Sequence, residues 1–145
     1  MILYFAYGSN MNKQRMILRD VSFRRRFSGV LYDWKLIFNA INEDEKAGSA
    51  NIVFSKDSKV EGAVYETDEE SLIKLDKFEI HYDRKKILIK DESGKEIECH
   101  VYITHPEQTK DGLKPTKKYL MHLLEGKDLI SKEYFDFLSD ISTLD

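Results

Sequence analysis

The chain has 145 residues, 41% of them hydrophobic and 34% charged, with a net charge of −3, which suits one domain with a sizeable core and leaves too little for two. A weakly acidic balance whose one concentrated basic tract is Arg24-Arg25-Arg26 argues against nucleic acid as a partner, and no apolar run nears the roughly 20 residues of a membrane span. The lone Cys99 allows no internal disulfide, and with no basic leader or cleavage pattern at the start a reduced, cytoplasmic protein is expected.

Met1 to Tyr7 is apolar, aromatic and free of breakers, as in a buried strand, and Gly8-Ser9-Asn10 stops it just before a segment, Asn12 to Leu18, that can continue as a helix. A strand, a tight turn and a helix start aim successive backbone N–H groups, and the positive end of the helix, at one point where a carboxylate or an oxyanion can sit. The plainer reading is a helix cap after a core strand. Phe27–Tyr32, Trp34–Ala40, Ala50–Ser55 and Val60–Glu66 then read as four strands of a meander, separated by the polar loop Asn42–Gly48 and a turn at Lys56–Lys59. The arginine triplet opens this region and is expected to alternate faces along a solvated edge.

Thr67-Asp68-Glu69-Glu70 has the form of a capping box, with the Thr67 hydroxyl at the helix start and Glu70 reaching back to it. The helix is expected to run from Asp68 to about Phe78. Leu72, Leu75, Asp76 and Glu79 fall at i, i+3, i+4 and i+7, so the stripe facing the core ends in two carboxylates. A partly desolvated acid near a helix C-terminus holds its proton more tightly than usual. The structural alternative is an ion pair with Arg84 or Lys85. Lys85–Lys90 and Ile97–Thr104 form the clearest hairpin, with Cys99 on its core face and His100 on its wet face. Beyond Pro115, Thr116–Glu125 is a helix stopped by Gly126, and Ser131 caps a last helix holding Tyr134, Phe135, Leu138 and Ile141. His81, His100, His105 and His122 have no ligand spacing and there is no CxxC or HExxH, so no metal site is expected. One α+β domain spanning 1–145 follows, a curled and mostly antiparallel sheet with helices packed on it.

Tyr4-Phe5-Ala6-Tyr7-Gly8-Ser9-Asn10-Met11, Gly62-Ala63-Val64-Tyr65, Leu75-Asp76-Lys77-Phe78-Glu79, and the tail segments Pro115–Tyr119 and Ile130–Tyr134 resemble the γ-glutamylcyclotransferase-like proteins, in the same order and over most of the chain. The resemblance implies a small mixed β-barrel flanked by helices. It also implies that the α-amine of a γ-glutamyl group attacks its own γ-carbonyl, releasing 5-oxoproline and an amine or amino acid without cofactor or metal. Glu79 matches the family's general acid/base, and Tyr7, Gly8, Ser9 and Asn10 match the turn that holds the ligand. Tyr119 is a weaker match to a pocket wall. The residue after the matching glutamate is commonly Gly in the family; here it is Ile80, which narrows the loop beside the base and bears on the leaving group.

Elementary chemistry fits these roles. An ammonium must lose a proton before it attacks, so a base is needed within about 3 Å, and the tetrahedral oxyanion needs fixed donors, for which the Gly8–Asn10 amides are candidates. The partner is then a small γ-glutamyl compound, either a γ-glutamyl amino acid or a γ-glutamylamine, and the protein a monomer or homodimer. Two other readings are weighed. Ser9 at a strand-to-helix turn could be a hydrolytic nucleophile, but G-x-S-x-G is absent. A module that binds a small carboxylate without turnover would keep the turn and need no Glu79.

Overall fold

The computed structural model describes residues 1–43 and 46–145, so Asp44 and Glu45 of the expected polar loop lie outside the described residues. Its strands are β1 (Ile2–Ala6), β2 (Arg25–Asn42), β3 (Ala47–Thr67), β4 (Tyr82–Lys90) and β5 (Glu96–Thr104). They close into a barrel in the order β1-β3-β2-β4-β5. β1 is antiparallel to β3, with Tyr4 opposite Tyr65, and parallel to β5 through Tyr4 and His100. The β2–β3 and β4–β5 pairs are antiparallel, and Val30 meets Lys90 to complete the ring. This is the mixed, mostly antiparallel barrel that the resemblance implies.

Strand alternation gives the barrel two packed faces. Phe5, Leu31, Val60, Val64 and Ile89 are at most 2% exposed, and each such side chain contributes about 1.5–3 kcal/mol by leaving water. The barrel is tight: a Cβ on Gly29 would lie 2.6 Å from Val64 Cγ2, and one on Gly62 2.3 Å from the Ala6 carbonyl oxygen. On the opposite face of β1 the Tyr4 ring stacks on Tyr65 at 6.1 Å and meets the edge of Tyr102 at 5.5 Å. Helix α2 (Glu69–Asp76) buries Leu72 and Leu75 completely. The Tyr102 hydroxyl reaches the Leu72 carbonyl. The catalytically suggestive residues sit in this second layer, between barrel and helices.

Several expectations are corrected. The four-strand meander is one long hairpin, because β2 runs through Asp33 and β3 through Lys56–Lys59. Asp33 and Asp57 both take left-handed backbone, with φ of 69° and 68°, a conformation aspartate tolerates, and the Asp57 N–H donates to Asp33 Oδ1 at 3.0 Å. The chain thus absorbs its turn residues in a bulge between Tyr32 and Trp34. The capping box also differs. Asp68, not Thr67, caps α2 by accepting from the Ser71 N–H at 2.7 Å, while Thr67 is fully buried and its hydroxyl donates to the Ser22 carbonyl.

Helix α1 (Lys13–Leu18) spans the expected segment with Asn12 as its cap, and a 3₁₀ turn, Ser9–Met11, comes before it. Helices α3 (Lys117–Leu124) and α4 (Lys132–Ser139) start at the threonine and serine the sequence marks, Thr116 and Ser131. Arg24 and Arg25 are exposed and share Glu66. Arg26 turns inward to Asp128 and the Met11 carbonyl, so the triplet splits between the two faces. Cys99 is buried in the core, its thiol pushed up to about 12 by burial. Among the described residues no helix is long and apolar enough to cross a membrane.

Candidate active site

At the end of β1 the chain turns at Gly8 into the 3₁₀ turn. The turn's own bonds run from the Met11 N–H to the Gly8 carbonyl and from the Asn12 N–H to the Ser9 carbonyl, so the N–H groups of Ser9 and Asn10, first in the turn, lack an acceptor within it. Gly8 is required by crowding: a Cβ there would stand 3.0 Å from the Ala50 Cβ and 3.3 Å from the Tyr119 hydroxyl. Tyr119 reaches this place because the Thr116 Oγ1 accepts from the Tyr119 N–H and puts it in the first turn of α3. Its hydroxyl accepts from the Ala50 N–H at 3.0 Å, while the Ala50 carbonyl accepts from the Tyr82 hydroxyl at 2.8 Å. Tyr7 is fixed by donating to the Tyr102 carbonyl.

Glu79 lies three residues past the end of α2, not on its stripe. Its N–H bonds the Leu75 and Asp76 carbonyls, each at 3.2 Å, and its own carbonyl accepts from the Tyr82 N–H as the chain enters β4. The side chain is 15% exposed. Oε1 accepts from Asn10 Nδ2 at 3.1 Å and lies 3.4 Å from Arg19 Nη1. The other stripe carboxylate, Asp76, belongs to a separate cluster, bound by Arg84 and by the Tyr102 hydroxyl at 2.6 Å. Neither Arg84 nor Lys85 pairs with Glu79; Arg19 does. Burial raises the proton affinity of Glu79, and although the charges of Arg19 and Arg15 and the Asn10 hydrogen bond oppose this, the net shift is upward. Burial likewise holds the Tyr4, Tyr7, Tyr82 and Tyr119 hydroxyls well protonated.

Tyr7, Gly8, Ser9, Asn10, Glu79 and Tyr119 all line one inner hollow of about 30 Å³, with Tyr4, Ala50, Tyr82 and Tyr102 as its further walls. Ser9, Glu79, Tyr82 and Tyr119 also line a larger outer chamber of about 530 Å³, reached by Arg19, Phe78, Ile80, Lys118 and His122. The structure therefore brings the six candidate site residues, Tyr7, Gly8, Ser9, Asn10, Glu79 and Tyr119, around one place, and leaves Asp76 outside it. The Ser9 hydroxyl makes no hydrogen bond to a histidine or a carboxylate among the described residues, which is the partner a serine nucleophile needs. Sequence reasoning missed Tyr4, Arg19, Ala50, Tyr82 and Tyr102. The period of two in β1 and β5 places Tyr4 and Tyr102 on a common face; nothing local marks Arg19.

Residues 4–121 match the family model described as "Gamma-glutamyl cyclotransferase, AIG2-like". The chain belongs to this family. Gamma-glutamylcyclotransferases of Bos taurus and Homo sapiens are 34% and 32% identical to it over 108 and 109 residues, which cover 69% and 70% of this chain. Those stretches are 57% and 58% of the relatives, so the chain spans little more than half their length. A solved structure of a gamma-glutamyl cyclotransferase superposes with a TM-score of 0.88 at 28% identity, covering 99% of this chain and 89% of that one. Ile80, the residue after Glu79, is 68% exposed and forms part of the outer chamber beside Phe78.

Proposed function

We propose that this chain is a γ-glutamyl cyclotransferase with Glu79 as general acid/base. The α-nitrogen of a γ-glutamyl group bonds to its own γ-carbonyl carbon, and the bond from that carbon to the departing nitrogen breaks, giving 5-oxoproline. Overall the attacking ammonium gives up two protons and the departing nitrogen gains two. Glu79 relays them one at a time, so the step balances without a co-reactant. The observation that carries this reading is the meeting of Glu79, whose proton affinity burial raises, and the Gly8–Asn10 turn around one hollow.

The Ser9 and Asn10 N–H groups are the donors for the tetrahedral oxyanion, each worth about 3 kcal/mol where such a donor is preorganised. Tyr4 accepts from Asn10 at 2.9 Å and so keeps its own proton to donate. The reacting carbonyl occupies the inner hollow, and the leaving group extends into the outer chamber, whose size is that of a small-molecule site. Tyr82 and Tyr119, tied to both sides of Ala50, form a rigid wall against which the γ-glutamyl chain must fold, and orientation of that kind is a large source of rate. Both γ-glutamyl amino acids and γ-glutamylamines fit this scheme.

A binding-only reading is favoured by one observation, the contact of Glu79 with Arg19, which also suits a carboxylate held permanently charged. Incubation with a panel of γ-glutamyl amino acids and γ-glutamylamines separates the two. Release of 5-oxoproline from at least one is expected. Its absence from all, with 5-oxoproline bound equally by wild type and Glu79→Gln, would establish the binding module instead.

A further inference from the structure

We propose that Arg19 is a positioning residue that, through Asn10, decides which oxygen of Glu79 exchanges the proton; this rests on the cyclotransferase reading above. Both donors on the carboxylate, Asn10 Nδ2 and Arg19 Nη1, address Oε1. Among the described residues Oε2 has no hydrogen-bond partner. A carboxylate gripped on one oxygen from two directions cannot rotate without losing both contacts, so Oε2 is the oxygen offered to the attacking nitrogen.

The grip is itself built. The same Arg19 Nη1 donates to Asn10 Oδ1 at 3.2 Å, and Asn10 Nδ2 serves the Tyr4 hydroxyl and Glu79. All the capacity of the Asn10 amide that faces the site is thereby used, and its orientation is fixed by the network. Arg19 is the C-terminal cap of α1. Its backbone is held where the helix closes, with the Asp20 N–H on the Ile17 carbonyl and the Val21 N–H on the Met16 carbonyl, both at 3.0 Å, and with Asp20 in the left-handed region at φ 60°. Its guanidinium lies over the Phe78 ring at 4.7 Å, one residue before Glu79. Lysine cannot reproduce a planar guanidinium that stacks on the ring while one nitrogen, Nη1, serves both Asn10 and Glu79.

The charged and titratable groups around Glu79 are Arg15 from α1 and Arg19 at its end, Tyr4 and Tyr7 at β1, Tyr82 from β4, Tyr102 from β5 and Tyr119 from α3, with Glu69 and Asp76 from α2, Asp83, Arg84 and Lys86 from β4 and His100 from β5 across a neighbouring hollow, and Glu43 and Lys118 in the outer chamber. His81 and His122 line the outer chamber. Of the groups nearest the carboxylate, Arg19 and Arg15 are the cations, and Arg19 is the larger influence in keeping it charged.

The test is the titration of the Glu79 carboxyl by carbon NMR, assigned through its loss in Glu79→Gln, together with pH profiles of kcat and kcat/KM on a γ-glutamyl substrate that wild type turns over. Arg19→Gln is expected to raise the titration midpoint and the acid limb, and to lower kcat about tenfold or more with KM changed less than about threefold. Arg19→Lys is expected to restore the acid limb by returning the charge, but not kcat, since the ring-stacked planar donor shared by Asn10 and Glu79 is missing. An unmoved midpoint in Arg19→Gln, or a raised KM at unchanged kcat, overturns the proposal. If Arg19→Gln does not fold, Arg19→Lys carries the test alone, and wild-type kcat in it overturns the proposal. Should wild type turn over no γ-glutamyl substrate, the cyclotransferase reading itself fails; should Glu79→Gln keep wild-type turnover, the role of Glu79 on which the proposal rests fails; should Glu79→Gln be inert while Arg19→Gln behaves as wild type, only the Arg19 assignment fails.

Discussion

At Glu79 burial and charge pull in opposite directions, and burial is the stronger. A carboxyl whose proton affinity is higher folded than unfolded costs stability once it ionises. That cost is absent below the unfolded pKa and grows as pH rises through the folded one. Glu79→Gln is therefore expected to raise the melting temperature at neutral pH, with the gain shrinking at low pH, as thermal melts across pH would show. The same variant is expected to lose at least about a hundredfold in turnover while still binding 5-oxoproline, because it keeps the shape and removes the base. At the other wall, Gly8→Val drives methyl groups toward Ala50 and Tyr119. It is expected to weaken 5-oxoproline binding, measured by calorimetry, and wild-type affinity there would contradict the close approach. Glu79 was legible in the sequence as an acid badly sited for a core, although for a partly mistaken reason: the tyrosine-lined hollow desolvates it, and the helix ends before it. Arg19 was not legible, because its role arises only when the end of α1 meets the end of α2, a contact between segments 60 residues apart.

Among the elements, α4 is fastened by one buried acid. Glu61 accepts from the Ser131 N–H at 2.7 Å and from its hydroxyl at 2.8 Å, and pairs with Lys59 at 3.0 Å. Burial alone would raise its pKa, but the Ser131 bonds and Lys59 outweigh it and the net shift is downward. Its stabilising contribution is thus present above the unfolded carboxylate pKa and is lost as pH falls through the folded one. Glu61→Gln is expected to destabilise more at neutral pH than in acid, read by denaturant unfolding at both. Ser131→Ala also removes the α4 cap and is expected to cost about 1–2 kcal/mol. The cap at Ser131 was readable because capping chemistry is local. The β2–β3 hairpin was misread because aspartates that look like turn formers can occupy a bulge, and only pairing across 24 residues decides which.

The whole molecule is a barrel whose closure sets the site. β1 lies between β3 and β5, and the turn after it meets Glu79 beyond the end of α2, Tyr82 at the start of β4 and Tyr119 of α3 around one hollow. Gly62→Ala places a methyl against the Ala6 carbonyl, and is expected to lower stability by about 1–3 kcal/mol and to impair ligand binding with it, since Ala6 precedes the turn. Fold class was legible because strand alternation and turn chemistry repeat along the chain. The closing pairs, Tyr4 with His100 and Val30 with Lys90, leave no local trace. The most direct measurement is 5-oxoproline release from a γ-glutamyl panel by wild type and Glu79→Gln side by side. Release by wild type, reduced at least about a hundredfold in the variant, is the expected result; equal release by both would contradict a catalytic Glu79.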